Sequence, residues 1–411
     1  MNQTGITIRL SVMMFLQFFI WGGWFVTLSS YLINNLNTTA AQQSMAFSTQ
    51  SWGAIIAPFI IGLIADRYFN AERILGVLHL VGAGLLYMMF NSTDFSNFYP
   101  YVLGYMILYM PTLALVNSVS FRQLTDPSKQ FSKIRVFGTL GWVISGLVIS
   151  YVFSWDSAEA VKEGMLRNTF LMVSIASAIL GLFSFTLPKT PPQVSKGEKV
   201  KISDILGLDA LKLLTNKNFA VFFFSSVLIC IPLAFYYQIT NPFLLDIGLD
   251  NATGKQSFGQ ISEVVFMLLL PVFLTRYGIK KTLLFGMLAW ALRYVLFAYG
   301  NADSGVWMLL LGIALHGICY DFFFVSGQIY TDSKAGDKYK SSAQGLITLA
   351  TYGVGMLIGF WAAGQISEYY TTATGDHTWE SIWILPAAFS ALVFILFALV
   401  FKNETIEYKK A

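Results

Sequence analysis

Arg135, Glu263, Arg293 and Asp321 carry ionisable side chains inside stretches that otherwise read as membrane-spanning helices. An ionised group in hydrocarbon costs at least a few kcal/mol even on lenient scales, so such residues face a partner or a watery cavity and mark an ion or solute path. Other polar side chains stand near them at helical spacing. Arg135, Thr139 and Trp142 fall at i, i+4 and i+7 on one face, while Gln238 with Asn241 and Gln260 with Glu263 each sit at i and i+3. Amides offer donors and acceptors, a carboxylate accepts from two hydroxyls, and an aromatic wall covers a flat ring. That set suits a polar, ring-bearing solute. Plainer uses exist as well, since Gln and Asn in such helices also bond across to a neighbour, and Trp142 is one of 10 Trp beside 36 Phe, where packing is the commoner duty.

The elements that must hold these groups follow from composition. Hydrophobic residues make up 55% of the chain, aromatics 16% and charged residues 12%, with a mean hydropathy of +0.61. A soluble protein carries about twice that share of charges. Apolar stretches long enough to cross about 30 Å of hydrocarbon recur at 6–34, 42–65, 73–91, 97–119, 133–155, 166–187, 217–248, 255–277, 280–299, 305–331, 340–370 and 378–401. The expectation is an all-α membrane protein of twelve spans. Arg9 precedes the first apolar run as in a secretory leader, but Gln17, Trp21 and Trp24 interrupt that run and no small-residue cleavage site follows, so it reads as a retained span.

Loops after even-numbered spans hold Arg67 and Arg73, then Arg122, Lys129 and Lys133, then Lys189, Lys196, Lys199, Lys201, Lys212 and Lys217; Arg276, Lys280, Lys281, Lys334, Lys338 and Lys340 follow, and then Lys402, Lys409 and Lys410. The opposite loops hold only Lys162, Arg167 and Lys255, so both termini are expected on the cytoplasmic side. A polar linker at 188–216 separates a six-span bundle at 1–187 from a second at 217–401, with a tail at 402–411. Arg67-Tyr68 and Arg276-Tyr277 occupy equivalent places in the halves, the mark of a duplicated architecture.

Gly62-Leu-Ile-Ala-Asp66-Arg67 resembles the loop signature of the major facilitator superfamily, and the second copy keeps Arg276, Gly278, Lys280 and Lys281 with Thr275 in place of the acid. A further resemblance runs through nearly the whole chain, to the nucleoside:proton symporter family of that superfamily. It rests on Phe15-Leu-Gln17-Phe-Phe-Ile-Trp21-Gly-Gly-Trp24, Tyr109-Met-Pro111-Thr112, Ile134-Arg135-Val-Phe-Gly138-Thr139-Leu-Gly141, Leu206-Gly-Leu-Asp209, Gln238-Ile-Thr-Asn241 and Gln260-Ile-Ser-Glu263. Arg276-Tyr-Gly-Ile-Lys280, Trp290-Ala-Leu-Arg293, Phe297-Ala-Tyr-Gly300, Asp321-Phe-Phe and Ser342-Ala-Gln-Gly345 continue the series.

The resemblance implies the major facilitator fold, two pseudo-symmetric six-helix bundles rocking about a nucleoside site between them. It assigns solute contact to Arg135, Thr139, Trp142, Gln238, Asn241, Gln260, Glu263, His316 and Tyr320. It also implies a bacterial inner membrane, a monomer in the lipid bilayer, uridine, adenosine or a similar nucleoside as partner, protons as coupling ion and no other cofactor. Where His316 and Tyr320 stand, family members usually have Tyr and Phe. His316 can bond a solute hydroxyl, pass a proton, or be a neutral core residue. Asp321 is the expected proton carrier, ionised while paired with Arg135 across the cavity and protonated when that pair opens; Glu263 is its competitor. Arg293 is expected to support a carboxylate or helix-end carbonyls.

Other functions stay open at this level. A carrier for a sugar or modified nucleoside, or an efflux carrier, keeps the fold and changes pocket or direction. An enzyme would need a nucleophile with its base, or a metal set such as His-Glu-x-x-His; the three His, at 79, 316 and 377, lie far apart, and Cys230 and Cys319 lack ligand spacing. Neither an enzyme, a metal nor a nucleic-acid partner is expected.

Overall fold

The structure, a computed structural model, describes residues 3–60, 69–124, 127–191, 208–373 and 375–404, and gives backbone without side chains for 58–60, 127–129, 132, 208–209 and 336–342. Among the described residues the regular elements are helices, and one antiparallel bridge joins Thr371 to His377. Ten of the described helices have the length and hydropathy to cross a membrane. The first loop signature, Gly62 to Tyr68, most of the linker with Lys196, Lys199, Lys201 and Leu206, and Lys409 and Lys410 lie outside the described residues, as do the side chains of Lys129, Asp209, Lys338, Lys340 and Ser342.

The chain forms two compact units, one of Met1–Val200 with Asp250–Ser257, the other of Lys201–Leu249 with Phe258–Ala411. The first contains α1 (Gln3–Phe25), α2 (Leu28–Leu36), α3 (Ala40–Ile60), α4 (Ala71–Asn91), α5 (Phe95–Gln123), α6 (Pro127–Leu147), α7 (Ala158–Lys162) and α8 (Asn168–Ser184). The second contains α9 (Lys217–Asp246), most of α10 (Ala252–Tyr299), α11 (Val306–Ala314), α12 (His316–Cys319), α13 (Ser326–Thr348), α14 (Met356–Tyr369) and α15 (Trp379–Val400). Three π-helical segments, Val148–Val152, Tyr320–Val325 and Leu349–Gly355, interrupt the α pattern.

Several spans differ from the sequence expectation. The first divides at Val26–Thr27 into α1 and α2. The eighth and ninth share one helical assignment of 48 residues, far longer than a bilayer needs, and it breaks at Gly278, whose φ of 72° only glycine adopts readily. Between the tenth and eleventh, where polar residues suggest a loop, α13 continues through 332–339, because no proline intervenes and Lys, Ala and Asp tolerate a helix in water.

Lipid tails are as apolar as Leu, so helix association here depends on close backbone approach at small residues rather than on apolar burial. In the first unit α1 runs along α6 and α8, and α5 lies against α3 and α4. A methyl group on Gly141 would collide with the Phe15 carbonyl, so that glycine sets the α1–α6 spacing. In the second unit α9 packs on α14 and α15, where a methyl on Gly359 would meet Ile231 O at 2.7 Å.

Several buried polar groups in these helices are satisfied by directed bonds. His79 Nε2–H donates to Gln17 Oε1 at 2.8 Å, Gln17 Nε2 donates to Thr112 Oγ1 at 2.7 Å, and Tyr109 OH donates to Gln17 O at 2.7 Å. Asp156, 2% exposed, accepts from Ser150 Oγ at 2.5 Å and from Thr253 N at 2.9 Å, capping the first turn of α10. In the second loop copy Lys280 Nζ donates to Ala398 O at 2.8 Å, closing the end of α15. Cys230 and Cys319 are free and buried.

Candidate functional site

The second unit builds a compact polar cluster from three neighbouring segments. α9 contributes Tyr236, and also carries Gln238 and Asn241, buried at 0% and 1% exposure. α10 contributes Glu263 before the Gly278 break and Arg293 after it, and carries Gln260 one turn before Glu263. The α11–α12 junction and the π-helical segment that follows contribute His316, Tyr320 and Asp321.

His316 is the centre of the cluster. Its Nδ1 lies 3.0 Å from Arg293 Nη1 and its Nε2 lies 2.9 Å from Glu263 Oε1. The imidazole stacks on the Tyr236 ring with centroids 5.2 Å apart, and the Arg293 guanidinium sits over the same ring at 3.4 Å. Cation–π contact of this kind stabilises a buried guanidinium that has left water. Two glycines permit the geometry. A methyl on Gly317 would lie 2.6 Å from the Ser262 carbonyl carbon, and one on Gly259 would lie 3.1 Å from His316 Cβ, so α10 meets the α11–α12 junction almost backbone to backbone. Ser262 Oγ accepts from Gly317 N at 2.9 Å and ties the crossing.

Tyr320 directs its hydroxyl to Tyr352 OH at 3.1 Å. Asp321 follows on the π-helical segment Tyr320–Val325, a form of backbone that inserts an extra residue per turn and recurs at functional positions. Its side chain is fully buried, and neither carboxylate oxygen receives a hydrogen bond from a described residue. An ionised carboxylate left so would cost several kcal/mol. Gln260, 8% exposed, likewise has Oε1 without a hydrogen-bond partner among the described residues.

The first unit holds the remaining candidates. The Arg135 guanidinium lies over the Phe18 ring at 4.1 Å, Thr139 is half-buried one turn on, and Trp142 meets Trp21 edge-on at 5.5 Å. Trp21 in turn contacts Tyr109 at 5.7 Å. Arg135 and Trp142 therefore border an aromatic wall built jointly by α1, α5 and α6. Arg293 goes to an imidazole rather than directly to a carboxylate or a helix-end carbonyl. Tyr236, Tyr352 and Phe18 are neighbours that no spacing in so aromatic a chain singles out.

Comparison with known proteins places this arrangement. The family model for nucleoside H+ symporters matches residues 4–406. From Escherichia coli K12, a nucleoside-transporter candidate, YegT, is 42% identical over 98% of this chain and 95% of its own length; the xanthosine permease is 36% identical over 97% and 96%. The nucleoside permease NupG of the same organism is 32% identical over 98% of this chain and 97% of its own. The crystal structure of NupG superposes with a TM-score of 0.86 at 31% identity, covering 98% of this chain and 100% of that one. The crystal structure of the POT family transporter PepTSo, at 15% identity, TM-score 0.72 and coverage of 96% of this chain and 97% of that one, shares the fold alone. With its buried charges and apolar helices in the major facilitator fold, the chain is a multi-pass membrane transporter, not an enzyme, and belongs to the nucleoside H+ symporter family.

Proposed function

We propose that the protein is a proton-coupled nucleoside importer working by alternating access, with the solute held in a central cavity between two rocking six-helix bundles. The observation that carries the proton step is Asp321, a fully buried carboxyl without a hydrogen-bond donor among the described residues. Such a group is at rest when protonated. In this reading it releases its proton on pairing with Arg135 in another state of the cycle. Glu263, already held on one oxygen, serves mainly to accept from solute hydroxyls.

Gln238, Asn241, Gln260 and Thr139 supply donors and acceptors to base and sugar. Arg135 adds a cation, and Trp142 and Tyr320 supply flat apolar cover. His316 completes the set by orienting Glu263. The relatives, a nucleoside permease and a xanthosine permease, support a nucleoside as solute. The bacterial relatives and the Lys and Arg distribution support an inner membrane with both termini cytoplasmic.

The test is uptake of radiolabelled uridine, adenosine and xanthosine into proteoliposomes, with and without an inward proton gradient that a protonophore collapses. Accumulation that disappears with the gradient supports import. Uptake confined to a sugar, or driven outward, replaces solute or direction.

A further inference from the structure

Arg293 is wholly buried, makes no ion pair with a carboxylate among the described residues, and stands one imidazole away from Glu263. A guanidinium only donates hydrogen bonds. With Arg293 Nη1 at 3.0 Å, His316 Nδ1 must offer a lone pair, so the ring's single proton lies on Nε2 and points at Glu263 Oε1, 2.9 Å away. A second proton on the ring would set Nδ1–H against the guanidinium N–H. The Tyr236 face carries both planar groups, at 5.2 Å and 3.4 Å, so neither can turn aside without losing its stack. Among the described residues the charged and titratable groups against the ring are Arg293 and Glu263 from α10 and Tyr236 from α9, together with Tyr320 one turn on, at 5.9 Å between centroids.

We propose that Arg293 is a positioning residue for solute binding. It fixes His316 as the neutral Nε2–H form, so the imidazole orients the Glu263 carboxylate for solute hydroxyls and is taken out of the proton path, which falls to Asp321. This inference rests on the reading of Glu263 as a solute contact. The bridging imidazole couples the buried Arg293 cation to the partly buried Glu263 carboxylate without direct contact, and a ring that titrated would change the charge beside the binding carboxylate, and compete with solute hydroxyls for it, with every proton taken up.

The decisive measurement is the 15N spectrum of histidine-labelled protein without solute, with the His316 signal identified by its loss in His316→Gln. The neutral Nε2–H form is expected from about pH 5 to 8, the window in which a free imidazole changes charge. A His316 signal that titrates there, or that carries its proton on Nδ1, overturns the proposal. Arg293→Met removes the donor. In that variant His316 should titrate and uridine should bind about tenfold more weakly, with a pH dependence that His316→Gln in the same background abolishes. An Arg293→Met pH profile equal to that of the wild type also refutes it. Because the tautomer is read without solute, failure of uridine to bind would count against the nucleoside reading and leave the role of Arg293 decided by the spectrum.

Discussion

Gly317→Ala tests whether the glycine-lined crossing holds the binding carboxylate in place. The added methyl would sit 2.6 Å from the Ser262 carbonyl carbon and 2.7 Å from Glu263 N, both backbone atoms that cannot rotate away. To relax 2.6 Å to the 3.4 Å of ordinary contact, the two segments must part by about 0.8 Å. The His316–Glu263 bond of 2.9 Å then stretches to about 3.7 Å, beyond hydrogen-bond range. Losing a bond to a charged acceptor costs about 1.5–3 kcal/mol, which is about a 10- to 100-fold loss of affinity. Overpacking adds about 1–3 kcal/mol of destabilisation. Equilibrium binding of tritiated uridine to purified protein, by scintillation proximity, measures the first effect and a melting curve the second. Gly84→Ala is the control, since its methyl meets nothing within 4 Å. Wild-type affinity in Gly317→Ala would refute the claim that this crossing positions Glu263.

Asp321→Asn, which mimics the protonated carboxyl, should abolish proton-driven accumulation and preserve counterflow exchange. One charge crossing 100 mV releases about 2.3 kcal/mol, enough for about fiftyfold accumulation, and the variant should instead level off at equal concentrations. Retained accumulation would move the proton step elsewhere. Glu263→Gln should weaken uridine binding about tenfold or more while leaving accumulation dependent on the gradient; the reverse pattern, intact binding without coupling, would exchange the roles of the two carboxylates. Just beyond α15, Lys334 Nζ lies 2.6 Å from Glu404 Oε2 and Tyr330 OH lies 3.0 Å from the same oxygen. Burial alone would raise the Glu404 carboxyl, but bonds from Lys334, Asn218 and Tyr330 and the Lys334 charge outweigh it and hold the group below its ordinary value. A depressed carboxyl contributes stability above its unfolded value of about 4.3 and loses it as pH falls through the folded one, so the melting difference between wild type and Glu404→Gln should shrink from about pH 5 towards pH 3. A difference that stays constant over that range would show that the ionised contact contributes nothing.

Much of the architecture was legible because hydrocarbon admits few solutions. A run of apolar residues in lipid must be helical to satisfy its own backbone, so length and hydropathy located the spans even where their ends shifted. Breaks were harder to see. Val26–Thr27 carries no glycine or proline to announce the division of the first span, and the polar run at 332–339 looked like a loop although its residues accept a helix equally well. Within single helices the spacing of Gln238 with Asn241, and of Gln260 with Glu263, indicated shared faces, because the helical period is local.

What the sequence by itself determined is that charges lie buried among apolar helices and that something must balance them, since the cost of an uncompensated charge in hydrocarbon is independent of fold. It could not name the partner. Arg293 and His316 lie 23 residues apart on separate helical segments, and their meeting with Glu263 depends on how closely α10 approaches the α11–α12 junction. That distance is set by Gly259 and Gly317, whose missing side chains act only when the two segments are already opposed. The tertiary structure alone decided that an imidazole stands between the buried Arg293 and the Glu263 carboxylate, because hydrogen-bond geometry is a property of placed atoms and not of residue spacing.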